Sequence, residues 1–306
     1  MKFIKPIGFI LMLLSLFFLA KQFYAHYHEV SAQIKLSTTT LILIAIHAGF
    51  YGLLLNLLGY AWYCQLKEHK LYYTLYPCLI IYGVSQIAKY LPGNVFQFAG
   101  RHLLANDYKI SQHDVLQATL GELLLLTFTS ILICAIFVLV FNINTSNIDS
   151  FEVKKITILG LLLLSTLLAF IYFVDIQLPH LFFLNMLKKN KILFLYLLFH
   201  IAAAFLCVSI LANIYDLQID AGLAIRIMVA YLIAWLIGYV VPGAPGGLGI
   251  RELILLWLLK GIFPEPLVLS AAVMNRLVTT LGDFCFFGQA VWMKKRLNML
   301  PANRIK

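Results

Sequence analysis

Apolar, nearly uncharged runs about as long as a bilayer is thick fill most of this chain. A helix crossing a hydrocarbon core of ~30 Å needs roughly 20 apolar residues. Runs of that kind lie near 6–24, 39–63, 71–90, 115–141, 156–175, 192–213, 222–241 and 266–293. The longest connections, 25–38, 142–155 and 176–191, fall short of the roughly 40 residues below which a segment seldom folds alone. With 62% hydrophobic and 12% charged residues, the chain cannot cover its apolar surface with a polar shell, and a bilayer is its solvent. The expected fold is an all-α polytopic membrane protein. A single integral-membrane domain over 1–306 holds about eight transmembrane helices.

The net charge of +10 sits at the ends and in loops between apolar runs. That distribution signals topology and attraction to anionic lipid, not a nucleic-acid surface. Cys64, Cys78, Cys134, Cys207 and Cys285 are isolated, and no HExxH or comparable His spacing occurs, so neither a disulfide framework nor a metal site is expected. No cofactor is expected either. The N-terminus has the basic start and apolar stretch of a signal peptide. Bulky Phe18 and Phe23 stand at −3 before Ala20 and Ala25, which disfavours cleavage and implies a retained first helix.

Two further apolar stretches, 94–105 and 248–262, are too short to cross as regular helices. Each follows a Pro/Gly break, Tyr90-Leu91-Pro92-Gly93-Asn94 or Val241-Pro242-Gly243-Ala244-Pro245-Gly246-Gly247. They read as re-entrant or broken half-helices. Lys2 and Lys5 at the start, with Lys294, Lys295, Arg296, Arg304 and Lys306 at the end, put both termini in the cytoplasm and make the number of crossings even. Eight crossings leave Lys188, Lys189 and Lys191 outside. Counting the broken segments as crossings gives ten and brings that cluster inside, at the cost of Lys154 and Lys155, which have Asp149 and Glu152 nearby. The ten-crossing count fits the charge rule better.

Sliding the sequence on itself by 150 residues places Pro92-Gly93 on Pro242-Gly243 and Arg101 on Arg251. This implies repeat halves of about 39–141 and 192–293. Membrane transporters place sites where matching halves each contribute an interrupted helix. The glycines of the second break allow positive φ and close backbone approach to a ligand. A helix starting near Leu248 would offer open amides to an anion, and the planar fork of Arg251 suits phosphate. The bland alternative is a tight turn with Arg251 and Glu252 paired. At the first break, Asn94, Gln97, Arg101 and His102 stand together, with Gln97 and Arg101 on one helical face. Charges within spans point inward or toward water. Glu122 lies near Thr119 and Thr129, and Arg276, Thr279, Thr280 and Asp283 form one helical stripe flanked by Asn275. Gly49, Gly52, Asn56 and Gly59 line one side of a span and read as packing, not site.

The phrases Lys89-Tyr90-Leu91-Pro92-Gly93-Asn94 through Gly100-Arg101, and Pro245-Gly246-Gly247-Leu248-Gly249-Ile250-Arg251-Glu252, resemble the lysylphosphatidylglycerol synthase transmembrane-region family. The similarity covers nearly the whole chain, without the synthase domain of fused members. The resemblance implies a flippase-like inner-membrane protein that moves a lipid between leaflets, with Arg101, Arg251 and Glu252 carried over and Glu122 and Arg276 less directly. The expected cargo is an anionic phospholipid, glycolipid or polyprenyl-phosphate lipid. The expected substrate-contacting set is Asn94, Gln97, Arg101, Glu122, Gly246, Gly247, Gly249, Arg251, Glu252, Asn275, Arg276 and Asp283. The alternatives are an accessory subunit docking a glycosyltransferase or lipid-modifying enzyme, and a membrane-embedded transferase. The last is disfavoured because no activated nucleophile or metal cluster is visible.

Overall fold

The computed structural model describes residues 37–70, 72–91, 95–140, 190–241 and 245–299, with Phe17, Lys21 and Tyr24 as isolated positions. Most of run 6–24, all of run 156–175 and the tips Pro92-Gly93-Asn94 and Pro242-Gly243-Ala244 lie outside the described residues. Regular structure among the described residues is helical, apart from one isolated bridge between Lys260 and Phe263. The first half holds α1 (Thr38–His69), α2 (Leu75–Gln86) continued by a 3₁₀ turn (Ile87–Tyr90), α3 (Phe96–Asp107) and α4 (Gln112–Val140). The second holds α5 (Asn190–Ile214), α6 (Ala221–Val240), a 3₁₀ turn (Pro245–Gly247), α7 (Ile250–Leu259) and α8 (Glu265–Met299). Side-chain oxygens start two of these helices. Ser37 Oγ accepts from the Thr40 amide at 3.1 Å, and Asp220 Oδ1 from the Leu223 amide at 2.7 Å.

Five helices are long and apolar enough to cross a membrane: Thr38–Glu68, Gln112–Phe137, Asn190–Ile214, Ala221–Val240 and Glu265–Leu297. The expected span 71–90 is not among them, because α2 and its 3₁₀ turn rise only about 26 Å. Burial runs opposite to that of a water-soluble protein. Leu53, Phe194 and Phe205 are at least 59% exposed on helix surfaces, while Arg101, Glu122 and Asp283 are at most 2% exposed. Apolar side chains face outward and charges inward, as a multi-pass membrane protein requires.

Contacts fix the direction of each helix. His47 Nε2 meets Ser209 Oγ, and Tyr60 meets Lys191, so α1 and α5 run antiparallel. Gly52 packs on Gly282 and Asn56 bonds Gln289, so α1 and α8 run parallel. Tyr73 pairs with Asp114 and Tyr82 with Glu122, which makes α2 and α4 parallel. Gly83 lies against Ala290, whereas Lys89 reaches Asp283, so α2 descends antiparallel to α8. The consequence is specific. α2 leaves the end of the bundle where α1 finishes, stops beside the middle of α8, and α3 returns to the same end, where α4 begins next to Lys70. The hairpin of α6 and α7 enters from the opposite end, where Tyr215 after α5 meets Ser270 of α8. Burial pushes the Tyr215 phenol up to about 12, so it keeps its proton there.

Among the described residues, α2–α3 and α6–α7 each return to the end of the bundle from which they start. The order long helix, hairpin arm, 3₁₀ turn, short helix, long helix occurs twice. Exchanging the halves converts the packing of α1 on α8 into α5 on α4, and that of α2 on α8 into α6 on α4, and all four pairs are in contact. The two 3₁₀ turns touch each other inside the bundle.

Small residues on α1 set its distance to α8. A Cβ on Gly52 would meet the Gly282 carbonyl at 3.0 Å and Cys285 Cβ at 3.1 Å, and one on Gly282 would meet the Ala48 carbonyl at 2.8 Å. Asn56 and Gln289 exchange hydrogen bonds at 3.1 and 2.8 Å across that seam. Gly49 has nothing within 4 Å and takes no part.

Candidate functional site

The tip of the first hairpin is tied down by charge. Lys89 Nζ donates to Asp283 Oδ1 at 2.7 Å, and the Tyr90 hydroxyl donates to Asp283 Oδ2 at 2.5 Å while its oxygen lies 3.2 Å from the Thr280 hydroxyl. Arg101 of the returning helix α3 reaches Glu122 of α4 through two bonds, Nη1 to Oε2 at 2.7 Å and Nη2 to Oε1 at 3.2 Å. The Tyr82 hydroxyl also donates to Glu122, at 2.8 Å, and its ring lies 4.0 Å from the Arg101 guanidinium carbon. A buried carboxylate with these partners is compensated, and so is the arginine. Gln97, one turn before Arg101, is buried on the same side.

The second tip is built on backbone. Gly246, Gly247 and Gly249 have φ of 56°, 74° and 84°, values an L side chain rarely adopts. At Gly247 the space is closed as well, since a Cβ would meet Arg251 Nε and the Gly238 carbonyl, each at 2.7 Å. Arg276 Nη1 donates to the Gly246 carbonyl at 2.9 Å and its guanidinium lies over the Tyr90 ring, which links one tip to the other. The expected row of open amides is partly closed. Glu252 Oε2 accepts from the Gly249 amide at 2.8 Å, an N-terminal cap of α7. Glu252 also lies 3.9 Å from Arg276 Nε. It does not pair with Arg251, contrary to the tight-turn alternative.

Arg251 lies between two internal cavities. One, of about 40 Å³, is lined by Gln86, Lys89, Gln97, Arg101, Glu122, Tyr239 and Gly246 among others. The other, of about 20 Å³, is lined by Trp235, Glu252, Ala272, Asn275, Arg276 and Thr279 among others. Arg251 borders both. Its Nε is buried without a hydrogen-bond partner, and its guanidinium carbon lies 5.6 Å from the Trp235 ring centre. The Asn275 carboxamide oxygen is likewise buried and unpartnered. Buried polar atoms are ordinarily satisfied, so each such group calls for a partner.

The structure thus gathers eleven of the twelve expected residues around the hairpin tips and the helices that hold them; Asn94 lies outside the described residues. It adds Lys89, Tyr90, Tyr82, Trp235 and Tyr239. Lys89 had a readable signal, a lone charge at the end of an apolar run. The aromatic residues had none, because tyrosine and tryptophan occur throughout apolar segments. Among the described residues, four cations (Lys89, Arg101, Arg251 and Arg276) face three carboxylates (Glu122, Glu252 and Asp283). Comparison with known protein families, with curated proteins and with solved structures finds no match to this chain.

Proposed function

We propose that this protein is a flippase-like lipid translocase of the cytoplasmic membrane, moving a lipid with an anionic head group between leaflets. One observation carries the reading: two helical hairpins enter from opposite ends, and their tips meet at interior cavities bordered by an arginine with no carboxylate partner among the described residues. Non-helical backbone at membrane depth is tolerated where it is buried in protein or lines a wet cavity. Interrupted helices from related halves are the way secondary transporters build a site near mid-depth. The hairpins are then re-entrant, and the halves are an inverted repeat, since α1 and α5 run antiparallel.

Charge supports the orientation. Lys67, Lys70, Lys109, Lys191, Lys294, Lys295 and Arg296 cluster at the end where α1 finishes, against Arg226 and Lys260 at the other. The richer end is cytoplasmic by the positive-inside rule. α4 ends and α5 begins at opposite ends of the bundle, and Lys191 at the start of α5 falls inside without a ten-crossing count. The resemblance of the two break motifs to the lysylphosphatidylglycerol synthase transmembrane region points to the same lipid-moving class. Acyl or prenyl chains stay in the bilayer while the anionic part of the head group meets the polar side chains that border the cavities.

The test is translocation by purified protein in liposomes, followed by the appearance of labelled anionic lipid in the opposite leaflet. Wild type is expected to accelerate transfer and Arg251→Ala to abolish the acceleration at equal protein content. Transfer at the protein-free rate with wild type overturns the proposal.

A further inference from the structure

Adding 150 to a residue number carries one half of the chain onto the other and places Arg251 where Arg101 stands. The same step carries Glu122, the carboxylate that neutralises Arg101, onto Ala272. In the first half the arginine is closed by a two-point bond to its glutamate. In the second half Arg251 and Ala272 line the same small cavity, with a methyl group at the position that this step assigns to the carboxylate. Neighbouring acids do not make up the deficit. Glu252 caps Gly249 and lies against Arg276, and Asp283 holds Lys89 and Tyr90. Glycines keep the arginine's place open, because a Cβ at Gly238 would overlap Arg251 Cγ and one at Gly247 would strike its Nε.

We infer that the cavity bordered by Arg251 and Ala272 is an oxyanion subsite that takes one negative charge, the guest supplying the carboxylate-like partner that Arg251 lacks among the described residues. The subsite rests on the translocase reading above and sharpens it to a substrate class. A guanidinium binds a carboxylate or a phosphate through the same two-point geometry, so a phosphate oxygen pair fits where Glu122 would sit. One unmatched cation among four matches a singly charged head group, a phosphodiester, better than a doubly charged phosphomonoester, which would bring an uncompensated charge into the interior. The unpartnered Asn275 oxygen on the same wall accepts from a donor, which a hydroxyl of a polyol head group provides.

Two substitutions at Ala272 test this without touching the arginine. Ala272→Glu gives Arg251 a resident carboxylate, as Glu122 does for Arg101. Ala272→Gln adds almost the same volume and no charge. Detergent-solubilised protein is titrated with dioctanoyl phosphatidylglycerol, dioctanoyl phosphatidic acid at pH 8.5, dimethyl phosphate and inorganic phosphate, with heat of binding as the readout. Wild type is expected to bind the phosphodiester lipid at least ten-fold more tightly than the monoester. Ala272→Glu should weaken phosphodiester binding at least ten-fold, and Ala272→Gln no more than three-fold. Dimethyl phosphate binding that vanishes in Ala272→Glu assigns the site to the phosphodiester itself, whereas binding confined to the lipid assigns it to the head group with its chains; either supports the subsite. Equal binding by Ala272→Glu and wild type overturns it, as does equal loss in the glutamate and glutamine variants or a preference for inorganic phosphate. If Ala272→Glu does not fold, Arg251→Gln replaces it, with the same ten-fold loss expected and wild-type affinity overturning the subsite. Liposome transfer is scored separately. Charge-dependent binding without transfer removes the translocase reading and keeps the subsite; transfer undiminished in Ala272→Glu does the reverse.

Discussion

Glu122→Ala should be among the most destabilising single substitutions in the described part of the protein. Arg101 and Glu122 are 1% and 3% exposed at their side chains and share two hydrogen bonds. Removing the carboxylate strands a guanidinium away from water, a change that costs about 3–5 kcal/mol. The lost Tyr82 bond adds less, since hydrogen bonds between membrane helices average about 0.6 kcal/mol. The uncompensated charge therefore dominates. Replacing both partners with apolar residues of similar size, as in Arg101→Met with Glu122→Leu, should recover most of the loss, because a buried ion pair is often no better than good apolar packing. Unfolding in mixed micelles with increasing sodium dodecyl sulfate measures Glu122→Ala, the singles Arg101→Met and Glu122→Leu, and their double variant against wild type. A loss below about 1 kcal/mol for Glu122→Ala, or a double variant as unstable as the two singles added together, would refute the compensation argument.

Gly282→Val should lower stability by about 1–3 kcal/mol through overpacking against Ala48 and Tyr51, while Gly49→Ala, with open space around it, stays within about 0.5 kcal/mol; the same micelle titration reads both. Asp283→Asn removes the partner of Lys89 and weakens that of Tyr90, so a cysteine introduced at Ala88 in a cysteine-free background should react several-fold faster with a soluble maleimide; an unchanged rate speaks against Asp283 as the tether of the tip. In intact cells, cysteines at Lys109 and Lys260 should be labelled from opposite faces of the membrane, because α3 and α7 return to opposite ends of the bundle; labelling from one face contradicts the hairpin arrangement.

The two breaks and their 150-residue spacing were legible from Pro92-Gly93 and Pro242-Gly243, since proline and glycine interrupt helices for local reasons. The stripe Arg276, Thr279, Thr280 and Asp283 was legible for the same kind of reason, as one face of a continuous helix. The way each short helix turns back was not. It depends on which part of α8 receives Lys89, 194 residues away in sequence, and no local pattern encodes that distance. The fate of the amides near Gly249 lay between the two cases. Glu252 three residues on has the spacing of an N-terminal cap, yet an acid beside an arginine reads just as readily as that arginine's partner. Only the geometry separates these, and it leaves Arg251 without a carboxylate among the described residues.

With the two hairpins re-entrant, as proposed, their touching turns would also alter the electrical profile of the membrane around them. Over most of its area a bilayer drops its potential across about 30 Å of hydrocarbon. Were water to reach the cavities beside the touching 3₁₀ turns, the same voltage would fall over a shorter path. A charge moved past Lys89, Gly246 and Arg251 would then feel nearly the full ~2.3 kcal/mol per 100 mV while travelling only a few ångströms. Such a constriction would make the membrane electrically thin.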